Sequence, residues 1–196
     1  MTIGRGLTMV VAAIVGCRSP QRRIPIAFLS DFASKSGAAQ VHVVAHSMGD
    51  RPFIRALVDV SNRVAESTGL RFNQFFLAAP DIDVREFKQL AAAYSKLSER
   101  TTMCVSNKDK ALWGSNILHE YPRAGYCPPT TIINGIDTVE VSNIDVSFLG
   151  HAYIAEAADV LYDMHSLMLA DNPLPRRMGS ESAVDPSGLK FWRMTR

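Results

Sequence analysis

Val41-His42-Val43-Val44-Ala45-His46-Ser47-Met48-Gly49 runs a β-branched apolar stretch straight into a serine, and a helical pattern begins directly after it. Residues 40–45 read as a short buried strand. A helix from about Asp50 to Ser67 follows, with Phe53, Leu57, Val60 and Val64 on one face and Pro52 in its first turn, where the missing N–H does no harm. Strand, serine, helix is the context of a nucleophile elbow. The serine of such a turn sits in a strained conformation, and the residues two before and two after it must be small for the backbones to pass. Here they are Ala45 and Gly49. The usual pattern is G-x-S-x-G, so the alanine is a departure of one methyl group. A serine acting only as a helix N-cap is the competing reading.

Working outward, residues 74–79 form the next strand, and after Pro80-Asp81 a helix carries Phe87, Leu90, Ala91 and Tyr94 inward. Residues 101–105 return as another apolar strand. A short helix is expected over residues 110–118, a last strand-like run over 138–144, and a final helix over 152–169 with Ile154, Leu161 and Met168 along one side. Upstream, Ile24, Phe28 and Phe32 are spaced as one helix face, with Gly37 as its stop. Strands alternating with helices imply a mostly parallel sheet flanked by helices, with reactive residues at the carboxyl ends of the strands.

A serine hydroxyl is a poor nucleophile near neutral pH and needs a histidine base oriented by a carboxylate. Asp109 follows the strand 101–105 in Ser106-Asn107-Lys108-Asp109, and His151 follows the last strand-like run in Phe148-Leu149-Gly150-His151. The chain order serine, acid, histidine is the one elbow-type hydrolases use. Asp81 and Asp83, in Ala79-Pro80-Asp81-Ile82-Asp83, also stand at the end of a strand and are alternative acids. The residue after the serine, Met48, supplies a backbone N–H for an oxyanion hole. His46 adjoins Ser47 on a tight turn and is expected to line the pocket or pack. His42 reads as a packed strand residue, and His119 and His165 have no carboxylate at metal spacing.

With these residues in place, the stretch from about Ile26 to Trp192 resembles the bacterial α/β-hydrolase family of unknown function DUF900, described as esterase- or lipase-like. The resemblance rests on five motifs in order: Ala45 to Gly49; Ala79 to Asp83 with Phe87; Ser106 to Leu112; Arg123-Ala124-Gly125; and Phe148 to His151 with Tyr153. It implies an α/β-hydrolase-type fold and a hydrolase mechanism without specifying a substrate. The family's further amino-terminal strands, with the loop that donates the second oxyanion N–H, are not matched here. Either residues 8–15 take the place beside the nucleophile strand, or the sheet is amino-terminally incomplete. Two functions follow: an active serine esterase acting on a small-molecule ester or acyl substrate, and a catalytically weakened hydrolase-like binding domain or fragment.

The 196 residues are 47% hydrophobic and 20% charged, and 21 basic against 19 acidic residues leave a formal net charge of +2. That is the composition of a globular domain, and the scattered basic residues give no nucleic-acid stripe. Cys17, Cys104 and Cys127 are far apart, without zinc or disulfide spacing, and Cys104 reads as a buried strand residue. Phosphate-cradling loops, HExxH and paired carboxylates for glycosidase chemistry are absent, so neither cofactor nor metal is expected.

The chain divides into residues 1–20, a hydrolase part over 21–171, and a polar Pro/Gly-containing tail over 172–196 that docks through Phe191 and Trp192. In the first segment Arg5, the apolar run Leu7 to Gly16 and Cys17 stand in the order of a lipoprotein signal. That order favours a lipid anchor at the bacterial envelope over a cytoplasmic location, and it is the only membrane association expected. The rival reading makes Thr8 to Val15 a buried parallel strand. The oligomeric state is not legible.

Overall fold

The computed structural model describes residues 8–13, 35, 37–63, 71–144, 150–169, 177 and 179–195. Its centre is a seven-stranded sheet in the order β1-β2-β3-β4-β5-β7-β6, formed by β1 (Thr8–Ala13), β2 (Gln40–His46), β3 (Phe72–Ala78), β4 (Ser98–Val105), β5 (Asp137–Glu140), β6 (Ser180–Val184) and β7 (Lys190–Met194). Neighbouring strands are parallel from β1 to β5 and between β5 and β7, and only β6 runs antiparallel to β7. The expected mostly parallel sheet with flanking helices is therefore present.

The helices are α1 (Asp50–Arg63), α2 (Val84–Leu90), α3 (Ala92–Leu97), α4 (Lys110–His119), α5 (Tyr153–Glu156) and α6 (Ala158–Leu169). One core lies between α1 to α3 and the sheet, where Val43, Ala45, Phe75 and Leu77 meet Phe53, Leu57, Phe87 and Tyr94. Phe53 stands edge-on to Phe75 at a ring-centroid distance of 5.2 Å. Burying each such side chain contributes about 1.5–3 kcal/mol. On the other face Phe76, Cys104 and Val139 meet Tyr153, Val160, Met164 and Leu167. Successive residues of β3 thus face opposite cores, which is why a fully buried strand reads as a continuous apolar run.

Helix α4 differs from the others in its placement. The segment after it returns to the carboxyl edge of the sheet: Ala124 N–H donates to Ile82 O, Gly125 N–H to Pro80 O, and Ser106 N–H to Gly125 O. A side chain at Gly125 is excluded, because its Cβ would lie 2.6 Å from Ala79 C and Pro80 N. The helix therefore leaves and rejoins the same edge and lies over it, which explains why Trp113, Ile117 and Leu118 are exposed.

Three expectations change. The polar tail is not merely peripheral, since it supplies β6 and β7, joined through a turn at Asp185 whose carboxylate accepts from the Ser187 and Leu189 N–H groups. Arg177 in the same segment is buried and pairs with Asp163 through Nε–Oδ1 at 3.2 Å and Nη2–Oδ2 at 2.5 Å. The final helix is broken at Ala157, whose extended ψ of 113° resets the helical phase, so Val160, Met164 and Leu167 turn inward while Leu161 is 45% exposed. The helix expected to carry Phe87 and Tyr94 is likewise two pieces, α2 and α3, although both rings are fully buried.

At the amino end, Thr8 to Ala13 pairs in parallel with Gln40 to Ala45 along its whole length. Thr8 to Ala13 is thus the strand beside β2, which has neighbours on both sides. Cys17, the helix around Phe28, Val64 to Ser67, and Phe148-Leu149 lie outside the described residues. Among the described residues no helix is long and apolar enough to cross a membrane.

Candidate active site

Strand β2 ends at His46 and is followed by a short 3-10 turn, Ser47–Gly49, leading into α1. Ser47 takes φ +58°, a left-handed conformation that a side chain disfavours by about 1–2 kcal/mol. The turn is held from behind: Asp81 N–H donates to Ser47 O at 3.2 Å, and Asp50 N–H to the same carbonyl. Ala45 is fully buried on β2, in register with Ala13 of β1 and Leu77 of β3, so its extra methyl is accommodated.

The loops after β4 and before α5 converge on this serine. His151 Nε2 lies 2.8 Å from Ser47 Oγ, and His151 Nδ1 lies 2.7 Å from Asp109 Oδ2. The other carboxylate oxygen of Asp109 accepts from Leu112 N–H at 2.9 Å, so the acid caps α4 while it holds the imidazole. Asp109 is fully buried and His151 keeps 20% of its side chain exposed. A buried carboxylate on Nδ1 selects the tautomer with Nδ1–H and leaves Nε2 free to accept from the serine hydroxyl.

Several neighbours fix His151. Gly150 has φ +62°, and a Cβ there would lie 2.3 Å from Lys108 O, so the histidine loop and the acid loop touch backbone to backbone. Tyr153 OH donates to Cys104 O at 3.0 Å, tying the following turn to β4. His46 Nε2–H donates to His151 O at 2.9 Å, and the two rings stand 4.7 Å apart. Burial lowers the His46 pKa, opposed by the hydrogen bond to the His151 carbonyl, which raises it. The sequence has His46 lining the pocket or packing and does not reveal this bond to the other histidine; nothing in the local pattern signals it, because the partner carbonyl is 105 residues away.

The alternative acids are elsewhere engaged. Asp81 is buried, its Oδ1 accepting from Ser115 Oγ at 2.8 Å and lying 3.3 Å from Arg51 Nη2 and from Arg123 Nε. Arg51 Nε also donates to Asp81 O. Asp83 caps α2, accepting from Arg85 N–H at 2.7 Å and Glu86 N–H at 3.3 Å, and these donors lower its pKa against the cost of burial. Neither is the carboxylate on His151. His42 is buried with neither ring nitrogen partnered among the described residues and its pKa lowered by burial, whereas His119 and His165 are exposed. Met48, 39% exposed, follows the serine, and its N–H lies in the first turn, where helix donors have no intrahelical acceptor. Burial pushes the Cys104 and Cys127 thiols up to about 12, so neither is a ready nucleophile.

A parallel sheet whose nucleophile strand turns through a strained serine into a helix defines the α/β-hydrolase class. The chain belongs to the family Alpha/beta hydrolase of unknown function (DUF900), whose model matches residues 26–170. No curated protein and no solved structure gives a significant match.

Proposed function

We propose that this protein is a serine hydrolase that cleaves carboxylic esters of small molecules through an acyl-enzyme. The observation that carries the reading is the unbroken chain Ser47 Oγ, His151, Asp109, at 2.8 Å and 2.7 Å. In the first half-reaction His151 Nε2 takes the hydroxyl proton as Ser47 Oγ bonds to the ester carbon. The carbonyl oxygen becomes an oxyanion facing Met48 N–H, and Asp109 stabilises the imidazolium. His151 then gives its proton to the leaving alcohol, and the C–O bond breaks. In the second half-reaction a water is deprotonated by the same nitrogen, attacks the acyl carbon, and releases the acid with return of the proton to Ser47.

Because the serine and histidine act as one unit, Ser47→Ala and His151→Ala should each lower hydrolysis of a short-chain p-nitrophenyl ester by about 10⁴-fold or more, and the double variant should be little worse. A fluorophosphonate probe should label wild type and fail on Ser47→Ala. Substantial turnover in folded Ser47→Ala protein would overturn the reading.

A further inference from the structure

Beneath the carboxyl-terminal end of α4 lies a cavity of about 350 Å³, within the size range of small-ligand sites. Its walls include Ile117, Tyr121, Tyr126 and Pro129, and Arg123 also lines it. Arg123 is 5% exposed, and its Nε is enclosed, 3.3 Å from Asp81 Oδ1. Its two terminal nitrogens have no hydrogen-bond partner among the described residues, and the residue lines the cavity. A guanidinium placed this way is costly to bury unless an acceptor completes it.

The surrounding charges point to the sign of that acceptor. Asp81 is shared between Arg51 and Arg123. The other acids that act on Arg123, Asp83 and Glu86, are paired with Arg85 at 3.6 Å and Arg55 at 2.6 Å. Within these direct pairs four guanidiniums share three carboxylates, an excess of one positive charge before the exposed Glu120 is counted. Glu120 borders the same cavity from an exposed position, which disfavours a second negative charge on the occupant.

We infer that this cavity is a binding site for a small organic monocarboxylate with an apolar or aromatic body, its carboxylate paired with the Arg123 guanidinium and its body against Ile117, Tyr121 and Tyr126. The fork geometry of Arg suits a carboxylate, and two parallel N–H donors give orientation as well as affinity. The site is coupled to the nucleophile through a short path. Arg123 pairs with Asp81, and Asp81 N–H donates to Ser47 O. The carboxylate comes either from the non-reacting end of an ester substrate, an assignment that rests on the proposed hydrolase activity, or from a separate effector.

Calorimetric titration of the full chain with benzoate tests the site without requiring catalysis, with neutral benzamide and inorganic phosphate as controls. Saturable one-to-one benzoate binding is expected, at least about tenfold tighter than either control, and weakened at least about tenfold in Arg123→Gln and in Ile117→Asp. Ile117 is 60% exposed, so its variant should fold even if Arg123→Gln does not, and thermal melts verify each. No saturable benzoate binding to wild type, equal binding of benzamide, or unchanged affinity in a folded variant would overturn the inference. The two sources separate kinetically. A substrate group gives a lower KM for a p-nitrophenyl monoester of a dicarboxylic acid, whose free end is an ionised carboxylate, than for the butyrate, and the preference disappears in Ile117→Asp. An effector instead makes benzoate alter turnover of the neutral ester without competing with it.

Discussion

Gly150→Ala tests the convergence of loops that builds the site. Gly150 has φ +62°, where alanine costs about 1–2 kcal/mol. The added Cβ would also lie 2.3 Å from Lys108 O and 3.0 Å from Lys108 C, and backbone cannot rotate out of the way as a side chain does. Relieving the first contact to ordinary van der Waals distance requires roughly 1 Å of separation, at a further cost of about 1–3 kcal/mol. Lys108 precedes Asp109 and Gly150 precedes His151, so the strain falls on the 2.7 Å bond between their side chains. A misplacement of about 1 Å in a catalytic group costs about 10²-fold in rate. The expected outcome is a fall in kcat of about 100-fold for a short-chain p-nitrophenyl ester, with KM changed much less. Thermal melts should show the midpoint lowered by about 4–20 °C, from a total of about 2–5 kcal/mol at about 2–4 °C per kcal/mol for a chain of this size. Gly114→Ala is the control, because its Cβ meets nothing within 4 Å and helix propensity favours alanine by about 1 kcal/mol. Wild-type kcat and melting temperature in Gly150→Ala would refute the argument outright. Lost stability with undiminished kcat would show that the loop contact does not position the histidine.

Asp109→Asn should lower kcat by about 10⁴-fold by presenting the wrong tautomer, far more than Asp81→Asn or Asp83→Asn in folded protein; the reverse ranking, measured on the same ester, would move the acid. Asp50 is fully buried without a hydrogen-bond partner among the described residues, and burial, reinforced by Asp81, holds its pKa well above the usual carboxylate value. The folded state therefore holds this proton where the unfolded chain releases it, so the contribution of Asp50 to stability falls as pH rises from the unfolded value through the raised folded one. Asp50→Asn should match wild type at low pH and melt higher at pH 8; a variant less stable than wild type at pH 8 would contradict this. Arg177→Met leaves Asp163 buried and unpaired and should cost about 3–5 kcal/mol by urea unfolding, whereas the double variant with Asp163→Leu should recover most of the loss. Equal destabilisation in single and double variants would show that the pair is not what the tail contributes.

Much of the site is legible in the chain because each piece has a local signature. The apolar run into Ser47 is a strand by composition, the helix after it is amphipathic, and small residues flank the serine for a steric reason that local backbone geometry imposes. Asp109 and His151 are legible through order and position after strand-like runs, since a parallel sheet delivers the ends of its strands to one edge. The roles of Asp81 and Asp83 are not legible in the same way. All three aspartates follow a strand and precede a helix, and what separates them is which one meets His151, a contact made across 42 residues for Asp109. The hairpin in the tail is not legible, because the Pro-Ser-Gly of residues 186–188, a breaker cluster by composition, is a turn whose long-range pairing supplies the order.

What the sequence determines by itself is therefore the alternation of strands and helices, the small residues around Ser47, and the order of serine, acid and histidine, all of which depend on neighbours a few positions apart. What only the tertiary structure decides is pairing at long range. It selects Asp109 over Asp81 for the imidazole, presses Gly150 against Lys108, sends His46 to the His151 carbonyl, uses residues 8–13 as a strand, and seats Arg177 on Asp163. Hydrogen-bond distance and steric exclusion act through space, and segments far apart in sequence come under them only when the sheet brings its strand ends together.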